Sequence, residues 1–393
     1  MSTKSKSCIS RILIAFLALS GLCLFLSMVS LFSNRNLPGE ESFDTLSPLE
    51  KARLLEALHL KSTLGDRAWP GWGSADIPII IWNRSYEFLT YYDGSTPSGW
   101  LPVTGEDLDG KIYYRQIADD PQNFAVPVDG TWAVSMATKQ TTDHFLIETF
   151  QDNIPAPINQ IFPYRLLIQP SETQMGGVLH ESFHVYQYQM SPERMAKAEA
   201  IHKLGKEYET STQAFQSEWK QESNLLADAL EAKTQAEKIG LARQFLMARE
   251  TRRKNSNLDD KLADYERWLE WEEGVAKYTE VSMLRLAGKT ADYQALPQMK
   301  IDHDFKQYRK VDQRWSDELF QLRHPLSTGE PRLYMTGLAQ AFLLDDLMPG
   351  WKDKYWQEGV FLEDLLRQAI ADRSSESSTN TLLLMEHSFS SGV

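Results

Sequence analysis

The rhythm of hydrophobic and polar positions changes several times along this chain. Between Arg11 and Ser33 runs ILIAFLALSGLCLFLSMVSLF, residues 12–32, 21 positions without a charge. A helix of about 20 apolar residues crosses a hydrocarbon core, so the run predicts a transmembrane signal anchor. A polar stalk over 33–47 follows, with Pro38 and Gly39. SPLEKARLLEALHLK then sets Leu49, Leu54, Leu55 and Leu58 on one face behind Ser47 as cap, which predicts a helix. From about Arg67 to Pro163 the texture is different. DIPIIIW, SYEFLTYY, KIYYRQI, TWAVSMA and HFLIETF are short apolar or aromatic runs separated by Gly, Pro and Asp. They predict strands of a mainly antiparallel sheet, with YRLLIQP at 164–170 as a candidate last strand.

After residue 176 the pattern is helical. Residues 191–262 are rich in Ala, Glu, Lys and Gln, and predict two or three long solvent-facing helices. They read as a hairpin packed beside the core, or as an insert that binds a protein partner. Residues 265–286 and 332–350 predict two amphipathic, core-facing helices, and SSESSTN at 374–380 predicts a loose end. The expected class is α+β: a mainly antiparallel β region followed by a mostly α-helical domain, preceded by one transmembrane helix. The expected segments are a cytoplasmic N-terminus over 1–11, the anchor over 12–32 and the stalk over 33–47. A β-rich subdomain over 48–170 follows, then a helical domain over 171–372 with its insert at 191–262, and a flexible tail over 373–393.

Charge adds an orientation. The net charge is -13, yet the first 36 residues carry +4 from Lys4, Lys6, Arg11 and Arg35, leaving -17 for the rest. A basic flank before an apolar run predicts a single-pass membrane protein, N-terminus cytoplasmic and the large domain extracytoplasmic. The acidic remainder excludes a nucleic-acid partner, which needs clustered Lys and Arg. Both cysteines, Cys8 and Cys23, lie in the first 36 residues. The chemistry of the large domain therefore uses neither a disulfide nor a thiol. Asn83-Arg84-Ser85 fits a glycosylation sequon.

GGVLHESFHVYQ, residues 176–187, carries the most specific chemistry. His180 and His184 are four apart, hence one turn apart on the same helix face. Two imidazoles so placed reach one Zn2+, and Glu181 beside the first can take a proton from a water that zinc has made acidic. Val178, Leu179, Phe183 and Val185 surround this trio with apolar side chains, and Gly176-Gly177 predicts a tight entry turn just before the helix. A third ligand is needed, and WEEGVAKYTE, residues 271–280, offers Glu273. Gly274 and Ala276 after it allow close approach to the first helix. Glu270 and Glu272 compete for the role, and all three also fit the exposed face of a charged helix.

HESFH followed by WEEGVAKYTE resembles the active core of the gluzincin metallopeptidases, in particular the aminopeptidase N and leukotriene A4 hydrolase family. The second motif of that family reads about N-E-G-F-A-x-Y-x-E, with the Glu before Gly as ligand, which points to Glu273 over Glu272. Its third motif, Y-x-K-G before an apolar helix, is matched by Tyr334 and Gly337 with Thr336 in place of Lys. Tyr334 then stabilises the oxyanion. The chain departs from the pattern in two ways: 89 residues separate His184 from Glu273, and no amine-binding G-x-M-E-N precedes HESFH. The resemblance implies a membrane-anchored zinc metallopeptidase with one Zn2+ on His180, His184 and Glu273, Glu181 as general base, and a peptide or protein substrate. The alternative is a non-catalytic membrane-anchored interaction protein with a structural or degenerate metal site. His59, His144, His202, His303, His324 and His387 stand in no ligand spacing and read as surface residues. No G-x-S-x-G elbow and no phosphate-binding glycine loop is present.

Overall fold

The computed structural model describes residues 14, 17, 20–22, 24, 25, 27–30, 32–208, 211–325 and 329–373. The N-terminus expected over 1–11, the end of the expected tail and His387 lie outside them. The fold is 62% helical with one six-stranded mixed sheet. This corrects the expected α+β chain with its mainly antiparallel region and leading transmembrane helix.

The sheet becomes mixed through one hairpin. Strands β1 (Ile79–Trp82), β2 (Tyr86–Thr90), β3 (Leu101–Pro102), β4 (Tyr114–Ile117), β5 (Phe124–Val128) and β6 (Thr131–Ala137) lie in the order β3-β4-β2-β1-β6-β5. Asp129 and Gly130, with φ of 45° and 85°, make the two-residue turn between β5 and β6. The chain thereby enters β6 parallel to β1, with Ile79 opposite Val134. IIIW of β1 is buried at every position, as a strand covered on both faces should be. β5 is an edge strand, which is why it tolerates Pro127.

Two runs expected as strands are not strands. HFLIETF belongs to a helix, and YRLLIQP forms the short 3-10 turn Tyr164–Leu167. α1 (Pro48–Ala68) is capped by Ser47, whose hydroxyl accepts the Glu50 N–H, and α2 (Lys139–Asn153) by Thr138, which accepts that of Thr141. In α2 the buried face is Lys139, Thr141, Asp143 and Ile147, with Lys139 paired to Asp143. Its aromatic positions Phe145 and Phe150 point outward, so hydrophobicity there misreports burial.

The membrane span is also overturned, and with it the single-pass placement. Among the described residues no helix is long and apolar enough to cross a membrane. Nine positions of the 12–32 run lie outside the described residues. The end of the run is tied to the folded body instead. Ser30 is buried, its hydroxyl donates to the Phe162 carbonyl at 3.2 Å, and the Asn34 amide donates to the same oxygen at 2.9 Å.

One hydrophobic cluster extends from Leu46 to Ile370. At its centre is α3 (Ser171–Met190), packed on α1 and β6. The antiparallel pair α4 (Gln213–Glu231) and α5 (Gln235–Asn255) follows, then α6 (Asp260–Leu269). A π turn at Glu270–Gly274 leads into α7 (Val275–Lys289), and α8 (Pro331–Leu347) crosses it. The charges of the 191–262 segment do not all face solvent. Arg249 and Arg252 of α5 are fully buried, Arg249 pairing with Glu270 at 2.6 Å and Arg252 with Glu266 at 2.7 Å. Glu222 of α4 and Glu363 complete the network.

Candidate metal centre

α3 owes its position to two glycines inside it, where the sequence reading put an entry turn. A Cβ on Gly176 would lie 3.2 Å from Leu284 and 3.3 Å from Glu280 of α7, and one on Gly177 would lie 2.5 Å from Met136 of β6. Small residues here let the strand and α7 approach the face that carries His180 and His184. Gly274 plays the corresponding part on another partner. Its Cβ would fall 2.5 Å from the Cα of Gly337, so the contact it permits is with α8. That crossing brings Tyr334 to the site.

The π turn decides which glutamate joins the histidines. One extra residue per turn sends consecutive side chains inward, and Glu270, Glu272 and Glu273 are all buried. Glu270 is taken by Arg249 and by the Thr336 hydroxyl. Glu272 faces His202 at 2.9 Å. Glu273 alone reaches the pair: its Oε2 lies 3.1 Å from His180 Nε2 and 3.2 Å from His184 Nε2, which are 3.1 Å from each other. A tetrahedral zinc with bonds of about 2.0–2.1 Å has ligand–ligand edges of about 3.3 Å. The three atoms stand close to that triangle, and among the described residues they form one of two groups able to hold a metal ion.

The histidines are held in the tautomer a metal requires. The Gln187 amide nitrogen donates to the Glu272 carbonyl at 3.1 Å and the Tyr355 hydroxyl at 2.7 Å. Its oxygen is thereby left as acceptor, 2.8 Å from His184 Nδ1. Nδ1 must carry a proton, and Nε2 is the atom that faces Glu273. Behind His180 a carboxylate takes the corresponding place: the His180 Nδ1 faces Glu280 at 3.6 Å, and Lys277 and Arg314 pair with that glutamate. Neither Gln187 nor Glu280 was singled out from the sequence, although Gln187 follows His184 at helical spacing and Glu280 ends the WEEGVAKYTE motif.

The electrostatics call for a cation. Burial lowers the His180 imidazole, but hydrogen bonds to Glu273 and Glu280 override it and push it up to about 10. His184 is likewise lowered by burial and raised more by Glu273. Burial raises the Glu273 carboxyl, yet the two imidazoles hold it far below the usual carboxylate range. The raised imidazoles record the negative charge of the carboxylates around them, which a proton or a metal ion satisfies, and the lowered Glu273 carboxyl records the positive charge of the pair.

Glu181 and Tyr334 flank the triangle. Glu181 Oε2 is buried and meets no hydrogen-bond donor among the described residues, and burial raises its carboxyl pKa. The Tyr334 ring lies parallel to that of His180, with centroids 6.1 Å apart. Burial and the Glu273 charge raise its pKa, so the hydroxyl stays protonated. Phe124, the first residue of β5, packs its ring 5.7 Å from that of His184. All five residues singled out from the sequence are therefore brought to one place. His202, read as a surface residue, is found beside Glu272 instead. Comparison with protein-family models, curated proteins and solved structures gives no match.

Proposed function

We propose that this protein is a zinc-dependent metallopeptidase of the two-His, one-Glu type that its motifs resemble. The observation that carries the reading is the triangle of His180 Nε2, His184 Nε2 and Glu273 Oε2, with Glu181 beside His180 and its Oε2 meeting no donor among the described residues. Zinc, when bound there, supplies a Lewis acid that polarises a carbonyl and lowers the pKa of water toward neutrality. Glu181 removes the proton of the attacking water and delivers it to the leaving amine. The Tyr334 hydroxyl donates to the carbonyl oxygen as negative charge develops. Among the described residues β5 pairs only with β6, and its other edge begins at Phe124 beside His184. An extended peptide adds to such an edge through its own backbone groups.

Glu181→Gln tests the reading, since it keeps shape and removes the base. The expected variant folds and retains zinc, while turnover on a peptide library falls by about 10²–10⁴-fold, the usual worth of general-base catalysis. Undiminished hydrolysis by the zinc-loaded variant would remove the mechanism. A full zinc complement with no turnover in the unaltered protein would favour a non-catalytic metal site.

A further inference from the structure

The histidine pair leaves a second constellation unaccounted for. Glu272 leaves the π turn on another side from Glu273, with Oε2 2.9 Å from His202 Nε2. Its other oxygen is fully buried and meets no donor among the described residues. His202 opens the 3-10 turn His202–Lys206, and its side chain is 30% exposed. Its Nδ1 lies 3.5 Å from Glu330, which also accepts the Tyr265 hydroxyl at 3.0 Å.

A related placement is seen at the first site. The Gln187 oxygen lies 2.8 Å from His184 Nδ1, and carboxylates face Nδ1 of His180 and of His202 at 3.6 Å and 3.5 Å. A ring nitrogen so occupied leaves Nε2 as the donor atom, which is how proteins orient metal-binding imidazoles. His202, Glu272 and Glu273 each bring one ligand atom to within 4.8 Å of the others. Glu273 belongs to both groups, and a carboxylate has two oxygens with which to serve two cations.

We propose that His202, Glu272 and Glu273 form a second divalent-cation site, with Glu273 bridging it to the first. The inference rests on the reading of Glu273 as a ligand of the first site. Charge supports it: Glu272 and Glu273 are neighbouring buried carboxylates, and one cation at the histidine pair leaves Glu272 with one oxygen facing His202 and the other meeting no donor among the described residues, a costly state away from water. One imidazole and two carboxylates suit Zn2+ or Mn2+, ions that accept mixed nitrogen and oxygen ligands. The rival occupant is a proton, making His202 an imidazolium between Glu272 and Glu330.

Metal content separates these cases without any activity assay. The full chain is stripped with chelator, reloaded with zinc, freed of loose ion by gel filtration, and its zinc counted by mass spectrometry. Thermal unfolding checks that each variant is folded. The expected result is two zinc ions per chain, and one in both His202→Ala and Glu272→Gln. Glu272→Gln keeps the packing and serves alone should His202→Ala fail to fold. One ion in the unaltered chain, lost in His180→Ala, overturns the second site and leaves the first standing. Two ions retained in both variants places the second ion elsewhere and overturns the assignment. No zinc at all overturns both sites.

Discussion

A metal-binding imidazole has to be fixed in one tautomer before the metal arrives, and here Gln187 does this for His184. Its amide cannot be flipped, because its nitrogen already donates to the Glu272 carbonyl and the Tyr355 hydroxyl. Gln187→Met removes the acceptor at Nδ1, and zinc affinity is expected to fall by about 10–100-fold, as when other groups behind a ligand are removed. A competition titration against a chromophoric chelator measures this. Gln187→Glu keeps the acceptor and loses the two donors, so affinity should recover while stability does not. Equal affinities for all three proteins would show that the amide orients nothing. At this scale the sequence was informative where chemistry is local: HESFH sets its two histidines by helical period alone. It was silent where pairing is distant, since nothing in the letters joins His202 to Glu272, 70 residues away.

Elements meet at this site through glycines. Gly337 in α8 would place a Cβ 2.7 Å from both the Glu270 carbonyl oxygen and the Gly274 Cα, rigid backbone that cannot step aside. Gly240 in α5 has nothing within 4 Å of the same position. Gly337→Ala is therefore expected to destabilise by about 1–3 kcal/mol or more, the range of overpacked cores, and to weaken zinc binding by parting α8 from the π turn. Gly240→Ala should stabilise by about 0.8–1.0 kcal/mol, the difference in helix propensity. Chemical denaturation of both variants checks the pair, and a similar sign for the two would undo the packing argument. The same elements show what pattern reading misses. HFLIETF looks like a strand because it is a short apolar and aromatic run, yet Thr138 caps a helix there and Phe145 and Phe150 face outward. Gly176 and Gly177 look like a turn, yet their place inside α3 is set by what packs on them. DIPIIIW was legible as a strand, because a continuous apolar run between turn residues has few other homes. Its parallel partner was not, since that depends on the direction in which β6 leaves its hairpin.

Across the whole molecule, the segment between HESFH and WEEGVAKYTE turns its charge inward. Arg249 links Glu222, Glu270 and Glu363, so α4, α5 and the chain after α8 brace the turn that presents Glu273. Composition could not reveal this, because Lys, Arg and Glu in a helix read as solvated unless their partners are known. Arg252 is the member whose removal reads out the network most cleanly. Burial raises the Glu266 carboxyl, but Arg252 and Arg253 outweigh burial and hold it far below its ordinary value of 4.5. A carboxyl depressed in the folded state stabilises above its unfolded pKa, and that stability is lost as the pH falls through the folded one. In Arg252→Met, Glu266 keeps Arg253, at 2.8 Å, and the Tyr208 hydroxyl, and is buried with less positive charge. Its pKa rises, so acid no longer removes a stabilising charge and begins to relieve a costly one. At pH 7 the variant is expected to be less stable by about 3–5 kcal/mol, the cost of breaking a buried ion pair from one side. As the pH falls below about 4.5, the unaltered protein loses stability faster than the variant, and the gap narrows. Urea unfolding at pH 7, 5 and 4 follows the gap directly. A gap that stays constant or widens toward acid would mean that Glu266 does not depend on Arg252 for its charge.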